Sequence, residues 1–302
     1  MTSKSECILP INGILLLNKP QGLSSNAVLQ KAKRLFKAKK AGHTGSLDPL
    51  ATGMLPICFG EATKLCQYLL DADKCYEATG LLGIKTSTAD ALGDELQRVD
   101  DFNVSESELC QVLEQFTGAT QQIPSMFSAL KHQGKPLYKL ARAGITIERK
   151  SRDILIDALT LRSFNGQSFE ITVSCSKGTY IRNLVEDIGE TLGVYAHVTQ
   201  LHRKHTAGFD REAMYTLDAL EAMSDSERLA CLLPMERAIP TMPVVVIDPD
   251  ELLRLQQGKT LDYQAVDIPN GLVRLNLEQG EFVGIGELDS DHILKVKRLL
   301  AF

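Results

Sequence analysis

Strand-like and helix-like segments alternate irregularly along residues 1–242 of this 302-residue chain. The segment GILLLNKP at 13–20 has the unbroken apolar run of a buried strand, and SFEITVSC at 168–175 alternates apolar and polar residues as a half-buried strand does. A capping box formed by Ser105 and Glu108 opens a helix. Because the order is not a regular β-α-β repeat, it predicts an α+β fold with a mixed, mostly antiparallel sheet.

Two further helices can be placed next to segments that carry chemistry. The first is predicted from an N-cap at Ser24 to about Lys39, with apolar residues on one face and basic residues on the other. The second is predicted over residues 179–192. Most charged helix faces are simply solvated, but they usually mix signs. Because the first helix contains no acid, contact with phosphates is favoured.

The charges are unevenly distributed along the chain. The net charge of −5 excludes a uniformly basic protein that coats nucleic acid, but it allows a local basic face. Residues 19–47 contain seven basic side chains and no acid, and residues 124–152 contain seven basic side chains and one glutamate. Residues 243–302 contain six basic and ten acidic side chains. The asymmetry predicts a polyanion-binding body joined to a differently charged appendage.

A domain boundary is predicted near Pro240 and Pro243, where the two prolines interrupt the chain. The segments that follow, LVRLNL, EFVGIGEL and ILKVKRLL, are typical of strands. We therefore expect a large domain over residues 1–242 and a small β-rich domain over residues 243–302.

The cysteines and histidines do not form a familiar metal or disulfide pattern. Seven cysteines are irregularly spaced without a C-x-x-C motif, which favours a reducing compartment. His197, His202 and His205 lie among basic residues with no carboxylate at ligand spacing, so we expect surface or RNA-facing histidines and no metal. The apolar run Ile14–Leu17 is too short for a signal peptide. These features predict a cytoplasmic protein without a membrane segment.

The segment AGHTGSLDPLATGML at 41–55 has the composition of a loop that holds a reactive group. Three glycines surround the Asp48-Pro49 pair, and proline stiffens the backbone beside the acid. Composition alone equally fits a turn with no task. The basic helix before the loop and the apolar MLPICF segment after it favour a functional loop. A phosphate-binding loop is excluded here, because no G-K-[ST] ending follows.

Three isolated side chains have both a structural and a functional interpretation. Tyr76 and Tyr180 are typical of core tyrosines whose hydroxyls are bonded. Arg182 follows close behind Tyr180 near the start of a predicted helix, where arginine is usually exposed. Its rarer role is to pair with a buried carboxylate and keep it ionised.

Six separated blocks of sequence, in order, resemble the TruB-type family of bacterial tRNA pseudouridine-55 synthases. They extend from residue 12 to about residue 209, and the tail at 243–302 is more loosely similar to the family's PUA-like RNA-binding domain. The blocks are NGILLLNKPQGLSS, AGHTGSLDPLATGMLPICFGEATK, YEATGLLGIKTSTADALGD, IPSMFSALKHQGKPLYKLARAGI, CSKGTYIRNLVEDIG and LHRKHTAGF.

The resemblance implies a role for each candidate residue in converting uridine 55 of the tRNA T-loop to pseudouridine. Asp48 would be the nucleophile, Tyr76 would stack on the flipped base and help to move its C5 proton, and Arg182 would pair with Asp48. The remaining implied contacts are His43 to the T-loop, Tyr180 and Leu201 to the uridine, and Lys19, Lys131 and Lys135 to RNA.

The resemblance also implies an isomerase that needs no cofactor and no metal. The reaction breaks the N1–C1′ bond and forms a C5–C1′ bond, so nothing is oxidised and no group is imported. Attack at C1′, attack at C6 and elimination to a glycal all use the same aspartate, and the sequence does not choose among them. We expect the protein to act as a monomer on the T-arm of tRNA without an obligate protein partner.

Three alternatives stay open on the sequence alone. One is an RNA-binding protein that helps tRNA to fold, with catalysis secondary or lost. A second is a phosphotransferase, which the missing G-K-[ST] motif disfavours. The third is a guide-RNA-dependent relative, which the lack of extra extensions disfavours.

Overall fold

An eight-stranded sheet forms the centre of the computed structural model, which describes residues 11–263 and 268–301. The hydrogen-bonded order is β1-β3-β12-β4-β11-β10-β7, and β2 also pairs with β3. The strands are β1 (Gly13–Lys19), β2 (Ala41–His43), β3 (Thr52–Phe59), β4 (Lys74–Leu82), β7 (Gly118–Gln122), β10 (Arg152–Phe164), β11 (Ser168–Cys175) and β12 (Ala196–Thr206). Neighbours are antiparallel except for β3 and β12, so the predicted α+β fold with a mostly antiparallel sheet is confirmed.

Short hairpins and helices connect these strands. The hairpins pair β5 (Ile84–Thr86) with β6 (Glu95–Arg98) and β8 (Lys131–His132) with β9 (Lys135–Pro136). The helices are α1 (Ser25–Leu35), α2 (Cys66–Asp71), α3 (Glu106–Phe116), α4 (Leu137–Arg142), α5 (Ile181–Thr191), α6 (Leu217–Ala222) and α7 (Asp225–Ala230). Two 3-10 turns lie at Gly60–Leu65 and Met235–Ala238.

The predicted helix starts are largely right, and the predicted ends differ. Ser24 caps α1 by accepting from the Ala27 amide, but α1 ends at Leu35 and not near Lys39, because Lys37 has a φ of +51° that a helix cannot continue through. The capping box of α3 is present. The helix predicted over 179–192 begins at Ile181, because the backbone before it is extended.

Strand β1 is buried on both faces, which explains its unbroken apolar run. Leu15 and Leu17 lie in a cluster with α1, α3 and α5, whereas Ile14 and Leu16 lie in a second cluster on the other face. Strand β11 instead shows the predicted alternation, with its odd-numbered residues Phe169 to Cys175 buried.

The C-terminal residues form a five-stranded sheet of order β13-β15-β16-β17-β14, with one helix. The elements are β13 (Val244–Ile247), α8 (Pro249–Gln256), β14 (Leu261–Asp262), β15 (Gly271–Leu277), β16 (Phe282–Leu288) and β17 (Ile293–Leu299). The three predicted strand segments are therefore strands. Phe282 and Ile285 complete the cluster that contains Ile14 and Leu16, so this sheet packs directly on the large one.

Six cysteines in the described residues are free thiols, and Cys7 lies outside the described residues. His197 is buried with its Nδ1 3.0 Å from the Ile84 carbonyl, so the expectation of a surface histidine is wrong there. Within the described residues, no helix is both long and apolar enough to cross a membrane. No group of three or more His, Cys, Asp or Glu side chains there is arranged to hold a metal ion.

Candidate active site

The loop between β2 and β3 places Asp48 beside side chains of β4 and β12. Two neighbouring elements fix the conformation of this loop. Ser25, at the start of α1, donates from Oγ to the Leu47 carbonyl at 3.0 Å and accepts from the Leu47 amide at 2.7 Å. Lys19, at the end of β1, donates from Nζ to the Ala51 carbonyl at 2.7 Å. The carboxyl group is therefore held by a rigid loop rather than by a mobile turn.

Lys19 itself is fully buried, and its implied contact with RNA stays a prediction. Its ammonium donates to the backbone carbonyls of Pro20 and Ala51, at 2.8 and 2.7 Å. Burial lowers the pKa of Lys19 to about 8, against an opposing effect of the Asp48 charge. The lysine stabilises the Asp48 loop from inside the protein.

Arg182 forms the expected ion pair with Asp48, with 2.8 Å between its Nε and Asp48 Oδ2. The other guanidinium nitrogens donate to the Thr88 carbonyl at 2.6 Å and to the Phe127 carbonyl at 3.0 Å. The arginine side chain is only 4% exposed, whereas that of Asp48 is 39% exposed. Because its fork is held on three sides, the guanidinium fixes the carboxylate in one orientation and leaves it open to a ligand.

A second acid, Asp90, lies behind the guanidinium and was missed by the sequence analysis. Its Oδ2 is 3.8 Å from Arg182 Nη1, and its Oδ1 accepts from the Thr88 hydroxyl at 2.6 Å and from the Leu92 amide at 3.0 Å. Asp90 is buried, so it adds negative charge near the site without facing a ligand.

The pKa of Asp48 is raised above its ordinary value. Burial is the largest cause, the Arg182 guanidinium opposes it, and the Asp90 charge adds to it. The arginine thus offsets the effect of burial only in part, and we expect the carboxylate to gain its proton at a higher pH than an ordinary aspartate does.

Asp48, Tyr76 and Arg182 line one cavity of about 380 Å³, together with Tyr180 and Leu201. This volume is within the range of small-molecule sites in proteins. Tyr76 lies on β4 and is buried, and burial raises the pKa of its phenol, so the hydroxyl is protonated at neutral pH. The cavity therefore combines one carboxylate, one fixed guanidinium and one neutral phenol.

His43 does not line this cavity. It lies on β2 before the Asp48 loop, and among the described residues its buried Nδ1 has no hydrogen-bond partner. Burial, and then the Arg203 charge, lower the pKa of its imidazole, so the ring is neutral at pH 7. Its implied contact with RNA stays a prediction.

Lys131 and Lys135 are exposed on the β8–β9 hairpin, which we call the basic insertion together with its flanking residues 123–152. The N-terminal part of the insertion lies at the cavity, because Phe127, Ser128 and Ala129 line the cavity wall. Side chains on the hairpin can therefore contact the part of a ligand that extends out of the cavity.

Two buried cations at the cavity were also missed by the sequence analysis. Lys74 lies on β4 two residues before Tyr76, and Arg203 lies on β12 two residues after Leu201. In a strand, residues two apart face the same side, so both positions share the face of a predicted site residue. That spacing is the signal that could have identified them.

Curated proteins with closely similar sequences exist. The chain is 58% identical over 301 residues to the tRNA pseudouridine synthase B of Legionella pneumophila (strain Lens), covering 100% of this chain and 99% of the relative. The chain belongs to the TruB family of pseudouridine synthases. Pseudouridine synthases are isomerases, and the resemblance seen in the sequence is confirmed. The tRNA pseudouridine synthase B of Tolumonas auensis is 48% identical and covers 96% of this chain and 92% of the relative.

Family models and solved structures agree with this assignment. The TruB family pseudouridylate synthase N-terminal domain matches residues 33–181, the tRNA pseudouridylate synthase B C-terminal domain matches 182–240, and the pseudouridine synthase II TruB C-terminal model matches 243–300. A chain in the crystal structure of a Cbf5-Nop10-Gar1 complex superposes with a TM-score of 0.71 at 25% identity, covering 95% of this chain and 84% of that one. The TruB fold is therefore present along almost the whole chain.

Proposed function

We propose that this TruB-family isomerase converts uridine 55 in the T-loop of tRNA to pseudouridine, with Asp48 as the nucleophile. The observation that carries the proposal is the Asp48–Arg182 pair, whose acid opens into the cavity while its arginine is buried. The tRNA substrate is supported by the names of the relatives, which are tRNA pseudouridine synthases B.

The enclosure of Asp48 by Tyr76, Tyr180 and Leu201 supports a flipped nucleotide. A base that stays stacked in a folded RNA loop cannot enter such a cavity, so the target must be extruded at a cost of about 2–4 kcal/mol. Stacking on the buried Tyr76 ring contributes on the order of 1–3 kcal/mol. The two quantities are of similar size, so phosphate contacts outside the cavity supply the net affinity.

The chemistry follows from the groups that line the cavity. The N1–C1′ bond breaks, the base turns and the C5–C1′ bond forms. C5 then loses its proton to water, and N1 takes up a proton from water, so no atom is gained or lost overall. If the carboxylate attacks C1′, the sugar is bound to the enzyme as an ester after the N1–C1′ bond breaks and until the C5–C1′ bond forms, as in retaining glycosidases. Attack at C6 and elimination to a glycal use the same carboxylate. Because the Tyr76 phenol is protonated at neutral pH, it can relay a proton, but it is not a phenolate that acts as general base.

The exposed basic residues of the insertion supply a surface for the phosphates of the T-arm. Six of them are exposed, and no ion pair within the described residues involves any of them. They are Lys131, Lys135, Lys139, Arg142, Lys150 and Arg152. The PUA-like assignment of residues 243–302 as a second RNA-binding domain, the division at residue 242 and the cytoplasmic location belong to the same proposal.

The test compares Asp48→Asn with wild type on a tRNA labelled with tritium at C5 of uridine. Loss of the nucleophile is expected to lower the rate of tritium release by at least about 10⁴-fold. Binding of the tRNA is expected to change little, because asparagine has the same shape. If product still forms at a comparable rate in the variant, Asp48 is not the nucleophile.

Two outcomes with the wild-type protein separate the alternatives. Tight tRNA binding without any tritium release would favour the RNA-folding helper. A bare T-arm stem-loop is expected to be a substrate, and a requirement for added protein or guide RNA would favour the guide-dependent reading. Mapping the modified position by mass spectrometry then tests uridine 55 directly.

A further inference from the structure

Arg203 is a fully buried guanidinium beside the catalytic cavity, and neither the ion pair nor the basic insertion includes it. Its hydrogen bonds go to backbone carbonyls, and no ion pair within the described residues joins it to a carboxylate. A buried charge without a counter-charge is costly to a fold. Packing alone therefore does not explain why a charged residue occupies this buried position.

The backbone contacts of Arg203 lie on both sides of the Asp48 loop. Nε donates to the Met54 carbonyl at 2.6 Å, and Nη2 donates to the Gly45 carbonyl at 3.2 Å. Gly45 precedes Asp48 and Met54 follows it, so a single side chain joins the two ends of the loop. The Asp48 loop therefore cannot shift as a whole relative to Arg203 without breaking a charge-assisted hydrogen bond.

The backbone of Arg203 is also in unusually close contact with this loop. Gly53 pairs with Arg203 between β3 and β12, and a Cβ on Gly53 would lie 2.2 Å from the Arg203 carbonyl oxygen. Gly53 also has a φ of +99°, which favours glycine. A side chain at residue 53 would therefore collide with the Arg203 backbone and separate β3 from β12.

The third contact of Arg203 is with Tyr76, its cross-strand partner between β12 and β4. Both side chains line the same cavity, and the charge of the guanidinium lowers the pKa of Tyr76 against the larger effect of burial. Burial, and then the same Arg203 charge, lower the pKa of Lys74 to about 8. The Arg203 charge therefore lowers the pKa of two groups at the cavity, Tyr76 and Lys74.

We propose that Arg203 is a positioning residue for the isomerisation, fixing the Tyr76 hydroxyl relative to the Asp48 loop. It touches no substrate itself and joins the nucleophile's loop to the aromatic ring on which the base is proposed to stack. A guanidinium fits this role because its donors point in fixed, coplanar directions, which a lysine ammonium cannot reproduce. The proposal rests on the proposed function, but its structural part can be tested without substrate.

The test uses Arg203→Met, which removes the charge, and Arg203→Lys, which keeps the charge and removes the fork. Tyrosine labelled with carbon-13 at Cζ reports the hydrogen bonding of each phenol, and Tyr76→Phe identifies the Tyr76 signal. In Arg203→Met this signal is expected to move, and the titration of Tyr76 to shift to higher pH. Arg98→Met is the matched control, because Arg98 is exposed on β6 and bonded to Glu95.

Kinetics on the T-arm substrate form the second readout. A misplaced site is expected to lower kcat by at least about tenfold in both Arg203 variants. KM should change by less than about threefold, because no RNA contact is removed. In a Tyr76→Phe background the same Arg203 substitution should cost much less, because the two residues act together.

An unmoved Tyr76 signal in a folded variant would overturn the proposal, whatever the kinetics show. So would an equal loss of kcat with and without the Tyr76 hydroxyl. If Arg203→Met does not fold, Arg203→Lys carries both measurements. If the wild-type protein forms no pseudouridine, the proposed function fails, while the Tyr76 signal still decides whether Arg203 fixes the phenol.

Discussion

Basic side chains occur in two regions of this protein with opposite surroundings. Around the cavity, Lys19, Lys74, Arg182 and Arg203 are buried, and each donates to backbone carbonyls. In the basic insertion, Lys131 and Lys135 are exposed and have no ion pair within the described residues. The same residue types thus fix geometry in one region and are free to attract phosphate in the other.

The difference has a measurable consequence. A charge in the insertion is screened by salt and interacts with RNA through displaced counterions. A charge around the cavity is shielded from solvent and acts on groups a few ångströms away. Substitutions around the cavity should therefore change kcat at any salt concentration, whereas substitutions in the insertion should change KM in a salt-dependent way.

Among the substitutions that compare the two regions, Arg182→Lys is expected to have the largest effect. The ammonium keeps a positive charge but cannot bond Asp48, Thr88 and Phe127 together, so the carboxylate loses its fixed orientation. We expect kcat to fall about 10²- to 10³-fold, in line with the loss of one preorganised electrostatic contact. The tRNA dissociation constant and its salt dependence should stay unchanged. A variant that lost affinity and kept kcat would break the distinction between the two regions.

A smaller effect is expected for the double variant Lys131→Gln, Lys135→Gln. Each lost phosphate contact should reduce the slope of log K against log salt by about one. At low salt we expect KM to rise on the order of tenfold, with kcat nearly unchanged. Arg98→Gln is the control for loss of an exposed cation elsewhere. An unchanged salt slope in the double variant would show that the hairpin does not contact phosphate.

A still smaller effect is expected from pH. Because the pKa of Asp48 is raised, its carboxylate becomes protonated as the pH falls through a value above that of an ordinary aspartate, about 3.9. Activity should therefore be full at neutral pH and decline at the acid end. In Arg182→Lys the weaker ion pair should move this decline to higher pH. A decline that moved to lower pH would contradict the assignment to Asp48.

The sequence predicts local features of this fold well, because they depend on neighbours in the chain. The two-residue period of β11 and the capping box of α3 are both present as expected. The position of Asp48 beside Arg182 came from a family resemblance, since 134 residues separate the two. No local pattern would have brought them together.

The sequence does not indicate burial for residues whose surroundings come from distant segments. Lys19 is the last residue of the buried strand β1, and no neighbour in the chain indicates that its ammonium is buried. The Ala51 carbonyl, 32 residues away in the chain, accepts a hydrogen bond from this ammonium and offsets the cost of burying it. Arg203 lies in the polar segment HRKH, although it alternates with the half-buried His202 and the exposed Lys204 and shares the buried face of Leu201. Burial of a charge depends on the acceptors that the fold brings to it.

The C-terminal sheet tests whether the two regions account for the whole of the activity. Phe282 is buried against Ile14 and Leu16 of the large sheet, far along the chain from both regions. Phe282→Ala removes a large ring from this cluster and is expected to lower the free energy of unfolding by about 3–5 kcal/mol. Leu253→Ala is the matched control in the same sheet domain, because Leu253 is 53% exposed on α8.

Activity of Phe282→Ala should be measured well below its unfolding transition, where the protein is still folded. We expect kcat and the salt slope to stay within about twofold of wild type, since no cavity residue and no insertion lysine is touched. A loss of kcat in the folded variant would mean that the C-terminal sheet helps to hold the Asp48 loop through β1. A change in the salt slope would instead mean that this acidic domain contributes phosphate contacts, so the division of basic residues into two functional regions would be incomplete.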